Sequence, residues 1–512
     1  AWWRLSKMAR ARSQTQEDHK ITLKLDHPTG NFWVDTGLVV LIEQFGEGEH
    51  PVDDVLQWLL SRLVQPSGNK GEYYDEATGQ IREYDRVNWV YPTNLFLKVS
   101  GSAPKTTING KEYFTQPPKF ELALKLSKRP DICDLCGEKA PLTDAKMWMY
   151  PFVVDPQKFG TFYPGTKRGL KLCARCALAG LAGYLGWLWK AQGRDALHFF
   201  IFHSELKELR RLHREVLEPL RAQGKKSGPA QVAFSGPYIH ETTLGLLIEL
   251  FKHVRQSDQL SSEGRELLAT LLGAGTSLPP APITLYAITG TPGQAFNMQA
   301  LREFSRLQRL YRLYEKWLEV INNKSIDSNP HQRLVKILSQ FWTQQGQNRE
   351  SIWRDKIAWA ILEFGDPLPF VEQFLYEARA KEESPRPLVR GTIDVLNHYI
   401  QEVLGMDERF QRVLAGFGHS LGTAAQEHNE MGLLYALRNA KNPEDFYRML
   451  NDVQFRLELT IPEPLLRIDE RHRIAGVPWM LVKTLLSIYA LNTYLPKGAP
   501  QAEGEASQED QP

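Results

Sequence analysis

The sequence predicts an α+β chain: a mixed α/β N-terminal region with an inserted four-cysteine module, followed by an all-α C-terminal helical bundle. Three observations predict it. Short stretches among the first 130 residues alternate apolar and polar positions, as half-buried strands do. All four cysteines of the 512-residue chain fall in two CxxC pairs, "CDLC" and "CARC". Beyond residue 296 nearly every stretch repeats its apolar positions at the helical period. The expected parts are an N-terminal α/β region (1–129), the cysteine module (130–180), a mainly helical remainder of the N-terminal lobe (181–295), the bundle (296–495) and an acidic tail (496–512).

Taken in order, "HKITLKL" (19–25) and "KFELALKL" (119–126) alternate as strands. Between them "TGNFWVDTGLVVLIEQFG" reads as a turn running into a buried helix, with Asp35 or Thr36 as its N-cap. "VDDVLQWLLSRLV" (52–64) is an amphipathic helix, and Asn109-Gly110 has the chemistry of a hairpin turn. "ALAGLAGYLGWLWKA" (177–191) falls short of the roughly 18 apolar residues a membrane span needs. Its Gly180, Gly183 and Gly186 recur at helix-packing spacing, which predicts a buried helix. Helix is expected to continue to about Leu220 and to return over "TLGLLIELFKHVR", after a flexible "RAQGKKSGPAQ". The Gly/Pro-rich run 273–294 reads as the clearest boundary. Helices are then expected at 301–322, 330–345, 349–363, 367–382, 387–404, 407–428, 429–439, 443–457 and 476–494.

Cys133-x2-Cys136 and Cys173-x2-Cys176 have the spacing of a structural zinc site, in which two tight knuckles supply a tetrahedron of thiolates. A thioredoxin-type redox pair would be single. Four protein ligands leave no open position, so the expected zinc is structural and does not activate water. The insert between the knuckles is aromatic and basic. It suits either a surface that meets phosphate or a small core under the metal.

Net charge is only +2, but from Lys119 to Lys226 there are 20 Lys/Arg against 11 Asp/Glu. Two helices concentrate arginine. In "LREFSRLQRLYRLYEKWLEVI" the residues Arg302, Arg306, Arg309, Arg312 and Lys316 share one arc, opposite Leu307, Leu310 and Tyr314. "KELRRLHREVLEPLR" carries Arg210, Arg211 and Arg214. Each is either a solvated face or a phosphate-tracking stripe. Lys167, Arg168 and Lys171 add a basic cluster before the second CxxC.

"GHSLG" (418–422) matches the nucleophile elbow G-x-S-x-G, with Asp469 and His472 downstream, but the elbow needs a buried strand before it. The preceding "MDERFQRVLAGF" is charged and helical, so the glycines are expected to serve helix packing and Ser420 no catalysis. No P-loop and no HExxH occurs. These absences favour a non-enzymatic binding protein. The basic opening lacks the apolar core of a secretory signal, and thiols are few, so a cytoplasmic protein without membrane contact is expected.

Three features together resemble the CXXC–CXXC branch of the large subunits of type I CRISPR Cascade complexes. They are "TGNFWVDTG" (Thr29, Gly30, Asn31, Asp35, Gly37), the paired "CDLC…CARC", and the long helical C-terminal half. The resemblance implies a non-catalytic role in RNA-guided DNA binding. Guide RNA reads the target by pairing, while this subunit recognises the protospacer-adjacent motif and helps open the duplex. The implied partners are crRNA, target double-stranded DNA, Cascade backbone and small subunits, and a helicase–nuclease or transposition proteins. The loop with Thr29, Asn31 and Phe32 becomes a candidate nucleic-acid contact, against the plainer reading of a helix-capping turn. Met406 in "QEVLGMDERF" is a possible internal translation start, whose product would be a helical small subunit.

Overall fold

The computed structural model describes residues 21–89, 104–117, 124–145, 170–192, 195–221, 228–275, 282–291, 297–322, 329–345 and 348–495. The expected strand residues 119–123 and the tail 496–512 lie outside the described residues. Sheets occupy the N-terminal half and helices the C-terminal half, with a four-cysteine cluster at 133–176. Two compact units divide the chain. The first takes in Ala1–Ala230, Asp258–Leu271 and Gly275–Ser305; the second Gln231–Ser257, Leu272–Ala274 and Arg306–Pro512.

In the first unit, strand β1 (Thr22–Leu25) pairs antiparallel with β2 (Gly48–Pro51), and helix α1 (Phe32–Phe45) joins them. The N-cap of α1 is Asn31, whose side-chain oxygen accepts from the N–H groups of Trp33 and Val34, each at 3.2 Å. This corrects the expected cap at Asp35 or Thr36. Those residues lie inside the first turns, and Asp35 reaches back to receive the loop's own donors. Helix α2 (Val52–Leu63) follows Pro51, with Asp53 and Asp54 in its first turn and Arg62 in its last, complementing the helix dipole.

A long hairpin, β3 (Val64–Asp75) and β4 (Gln80–Trp89), and a short one, β5 (Lys105–Ile108) and β6 (Lys111–Phe114), form one sheet in the order β4-β3-β6-β5. Asn109 at φ 51° and Gly110 at φ 79° supply the left-handed pair that the tight turn requires. Residues 124–126 run without strand structure, and Ser127 N–H next to them donates to Leu142 C=O at 2.8 Å.

Strands β7 (Pro130–Ile132), β8 (Lys139–Asp144) and β9 (Lys171–Cys173) form a small antiparallel sheet, and helix α3 (Ala174–Gly186) starts directly from it. The expected helix thus ends at Gly186. Strands β10 (Leu188–Gln192) and β11 (Asp195–Phe202) replace its continuation. β12 (Thr284–Thr291) and β13 (Asn297–Phe304) complete an antiparallel sheet β10-β11-β12-β13. The boundary expected within 273–294 is therefore crossed by a sheet strand. "LHFFIF" and "TLYAIT" are apolar, aromatic-rich runs, which suit a buried strand as well as a buried helix. Helix α4 (Leu206–Leu212) continues through a π turn, His213–Leu217, to Arg221. The core is built by Leu25, Leu38, Leu41, Leu59, Leu172, Leu178 and Trp187, and it includes Cys133, Cys173 and Cys176.

The second unit is helical apart from two short hairpins among the described residues, β14 (Thr343–Gln345) with β15 (Asn348–Glu350) and β16 (Arg473–Ile474) with β17 (Val477–Pro478). Helix α5 (Ile239–Arg255) has its first amides capped by Asp355, which accepts from His240 N–H at 2.9 Å and Glu241 N–H at 3.1 Å. Helix α6 (Leu307–Asn322) begins six residues later than expected, because 301–304 belong to β13. Next come α7 (Pro330–Ser339), α8 (Ile352–Leu362), α9 (Leu368–Gln373), α10 (Thr392–Leu404), α11 (Glu408–Glu427), α12 (Met431–Asn439), α13 (Pro443–Arg456) and α14 (Trp479–Tyr494). Helix α14 is the spine of this unit, with Val482, Leu485, Leu486 and Ile488 all fully buried. Its buried Lys483 donates to Arg438 C=O at 2.8 Å and to Glu372 at 3.4 Å. No described helix is long and apolar enough to cross a membrane.

Candidate metal centre

The four cysteine sulfurs lie within 4.8 Å of one another, with Cys136 and Cys173 Sγ 3.8 Å apart. That separation matches the edge of about 3.8 Å expected for a sulfur tetrahedron with metal–sulfur bonds near 2.3 Å. It excludes a disulfide, and all four cysteines are free.

Each knuckle is made locally. In the first, Gly137 takes φ 72° so that its N–H reaches Cys133 C=O at 2.9 Å, folding the chain back on itself. In the second, Cys173 is the N-cap of α3, its sulfur accepting from Cys176 N–H at 3.4 Å. The knuckles are joined by Cys173 N–H donating to Cys133 Sγ at 3.3 Å and by Asp134 accepting from Lys171 N–H at 2.7 Å. Such amides stabilise sulfur in its charged form.

Without a cation the thiols share protons. Hydrogen bonds from Cys173 and Cys176 hold Cys133 far below the ordinary thiol value, and Cys176 pushes Cys136 down to about 6. The hydrogen bond to Cys133 pushes Cys173 up to about 12, and the other three sulfurs raise Cys176 further still. Four crowded thiolates need a divalent cation among them, and the donor set fits one.

Arg175, between the two ligands of "CARC", is buried at 4% exposure. Burial works against its charge, yet Glu138 and the Cys136 sulfur hold its pKa above the ordinary value. One guanidinium nitrogen lies 3.0 Å from Glu138 and another 3.6 Å from Asp26. Its Nε and Nη1 are buried without a hydrogen-bond partner, and the Cys136 and Cys176 sulfurs lie close enough to favour its charge. Spacing alone pointed to the cysteines, whereas Arg175, Asp26 and Glu138 were missed, since only folding brings them together.

The loop of the N-terminal motif is closed on itself. Asp35 accepts from Thr29 N–H at 2.7 Å, Thr29 Oγ1 at 2.8 Å and Gly30 N–H at 2.9 Å. Burial raises the Asp35 carboxyl pKa, against these bonds. Asn31 is spent on the cap, and Phe32 stacks on Tyr286 at 4.1 Å with Phe200 edge-on at 5.1 Å. Thr29, Asn31 and Phe32 thus have intramolecular partners. Gly37 ties this motif to the metal centre. A Cβ there would lie 1.7 Å from Ala179 C=O, so α1 and α3 cross at backbone contact.

The basic stripes fare differently. Arg210 pairs with Glu43 at 3.0 Å and Glu47 at 2.7 Å, Arg211 with Glu208 at 3.0 Å, and Arg214 with Glu215 at 2.8 Å. Arg302 is exposed on β13 in the first unit, apart from the other four in the second, so the five-residue arc is not one helix face. Arg306 and Arg309 lie over the Phe364 ring at 5.9 and 4.4 Å, Arg312 is exposed, and Lys316 pairs with Glu319 at 2.8 Å. Lys171 pairs with Asp144, and Lys167 and Arg168 lie outside the described residues. Ser420 sits inside α11 with its hydroxyl donating to Gly416 C=O at 3.2 Å, which is not elbow geometry. Gly418 and Gly422 instead let α11 pack on α14, where a Cβ would lie 2.5 Å from Tyr489 Cβ and 2.2 Å from Ala490 C=O. No protein-family model matches the chain, and no curated protein matches it.

Proposed function

We propose that the chain is the non-catalytic large subunit of a CRISPR RNA-guided type I Cascade surveillance complex, with structural zinc in its four-cysteine centre. The observation that carries this reading is the packing of the "TGNFWVDTG" helix on the CxxC helix, at Gly37 and Ala179. The two motifs behind the resemblance belong to one core, which is what a shared architecture requires. Zinc would tie residues 133–136 to residues 173–176 and offer no open coordination position. In the complex, crRNA pairs with the target. This subunit recognises the adjacent motif, supports R-loop formation and recruits a helicase–nuclease or transposition proteins.

The test is co-expression with Cascade backbone subunits and a crRNA, followed by sequencing of the RNA that purifies with a tag on this chain. Guide RNA of defined repeat-derived ends is expected, and its absence from an assembled preparation rejects the reading. Metal analysis of chelator-free protein is expected to give one zinc per chain, lost on Cys133→Ser. The same cysteine cluster supports a second reading, a zinc-ribbon nucleic-acid scaffold outside CRISPR, which predicts nucleic-acid binding with no guide RNA. A fluorophosphonate probe is expected to leave Ser420 unlabelled.

A further inference from the structure

Three separate stretches of the first unit meet at the Arg175 guanidinium. Arg175 itself stands between the two ligands of the second knuckle, in the first turn of α3. Glu138, just past the first knuckle, lies 3.0 Å from one guanidinium nitrogen. Asp26, at the end of β1, lies 3.6 Å from another. Lys24 and His27 also hold Asp26, but both are largely exposed, so neither ties it to the core.

Burial works against the guanidinium charge, and such a charge needs partners that stay in place. Those on the metal side are placed by the knuckles. Glu138 C=O accepts from Cys133 N–H at 2.9 Å, which locks Glu138 to the first pair of ligands. Asp26 carries no ligand and belongs to no knuckle. It opens the loop 26–31 of the N-terminal motif, whose Thr29 and Gly30 N–H groups donate to Asp35 at 2.7 and 2.9 Å. Burial raises the Asp35 carboxyl pKa, and the Arg175 charge is among the influences that lower it. The guanidinium therefore acts on both acids that flank the loop.

We propose that Arg175 is a positioning residue that couples the cysteine centre to the loop of the N-terminal motif, residues 26–31. With a cation held, the knuckles place the guanidinium between Glu138 and the sulfurs, and the guanidinium holds Asp26. A loop about 100 residues earlier in the chain is tightened when the centre fills. Such coupling is reciprocal, so a change at Asp26, which touches no ligand, must alter metal affinity in turn. The proposal rests on the zinc centre of the reading above and is independent of the Cascade role.

The experiment uses the full chain, zinc-loaded and metal-stripped, with zinc content measured first. Affinity is read by competition with a chromophoric chelator for the wild type, Asp26→Asn, Arg175→Met and the double variant. Asp26→Asn is expected to weaken zinc binding about tenfold, but to add no more than about twofold once Arg175 is gone. Hydrogen exchange over residues 26–35 is expected to speed up about fivefold or more on metal removal, with exchange over β3 and β4 unchanged. Zinc-loaded Asp26→Asn should show the fast loop already. If Arg175→Met does not fold, Arg175→Lys takes its place. It keeps the charge but cannot span Glu138 and Asp26 together, so zinc is retained while the loop stops responding to it. An equal loss from Asp26→Asn in both backgrounds, a loop whose exchange ignores the metal, or exchange that rises alike over the whole unit overturns the coupling. A chain that holds no metal overturns the zinc centre and the coupling with it. Metal retained beside an unresponsive loop overturns the coupling alone and leaves the centre standing.

Discussion

Asp35 shows how much one buried carboxylate can organise. Its two oxygens receive three donors from Thr29 and Gly30, and that fixes the angle at which the chain enters α1. Asp35→Asn keeps the shape but turns an N–H toward an N–H. Loss of about 2–3 kcal/mol is expected for the bonds broken and the donor left unsatisfied. Urea unfolding followed by tryptophan fluorescence would measure it, and an unmoved midpoint counts against the account. Arg175 is the second residue with such reach. Arg175→Met leaves the thiolates uncompensated beside Glu138 and Asp26, so a chelator is expected to strip the metal faster, with Arg175→Lys restoring part of the resistance. The cysteines were legible in sequence because knuckle chemistry is local. The fate of Arg210 was not, because its partner Glu43 lies 167 residues away in the chain.

At the scale of elements, the crossing of α1 and α3 depends on Gly37. Gly37→Ala places a methyl inside the backbone of Ala179 and is expected to cost about 3 kcal/mol or more, since neither helix can yield without disturbing the core. Reduced zinc retention in that variant would show that the crossing supports the second knuckle; full retention with lowered stability would confine the effect to packing. The centre itself sets a pH response. Its high-pKa members, Cys173 and Cys176, must release protons to bind a cation, so metal affinity falls as pH falls. A drop of about tenfold or more per unit from pH 8 to pH 6 is expected in a competition titration with a chromophoric chelator. Most helices after residue 330 were readable from an amphipathic period, and α14 from its length and continuous apolar character, while misplaced ends such as 345 and 349 reflect a hairpin between Phe341 and Ile352. The strand β11 was not readable. Buried along residues 196–201, it shows no alternation, and "LHFFIF" carries no mark of which period it follows.

For the whole molecule, an internal start at Met406 can be judged against the second unit. A product from Met406 to Pro512 would keep α11 to α14 but lose Glu372 and Tyr376, partners of Lys483 and Ser487 in the buried spine. A buried ammonium without its carboxylate costs about 3–5 kcal/mol, so such a product is expected to need another surface over α14. A C-terminal tag on the native gene should reveal a second band that silent recoding of residues 401–403 removes. A single band in both cases rejects the internal start. The crossing at Gly37 has a further consequence, for synthesis on the ribosome. The face of α1 that includes Thr36, Gly37 and Val40 cannot be covered until α3 emerges about 140 residues later. At roughly 5–20 residues per second that is a wait of about 7–28 s. For that interval a sticky helix stands uncovered outside the exit tunnel, so yield should rise with chaperones that hold nascent chains, and a pause before residue 186 should lower it.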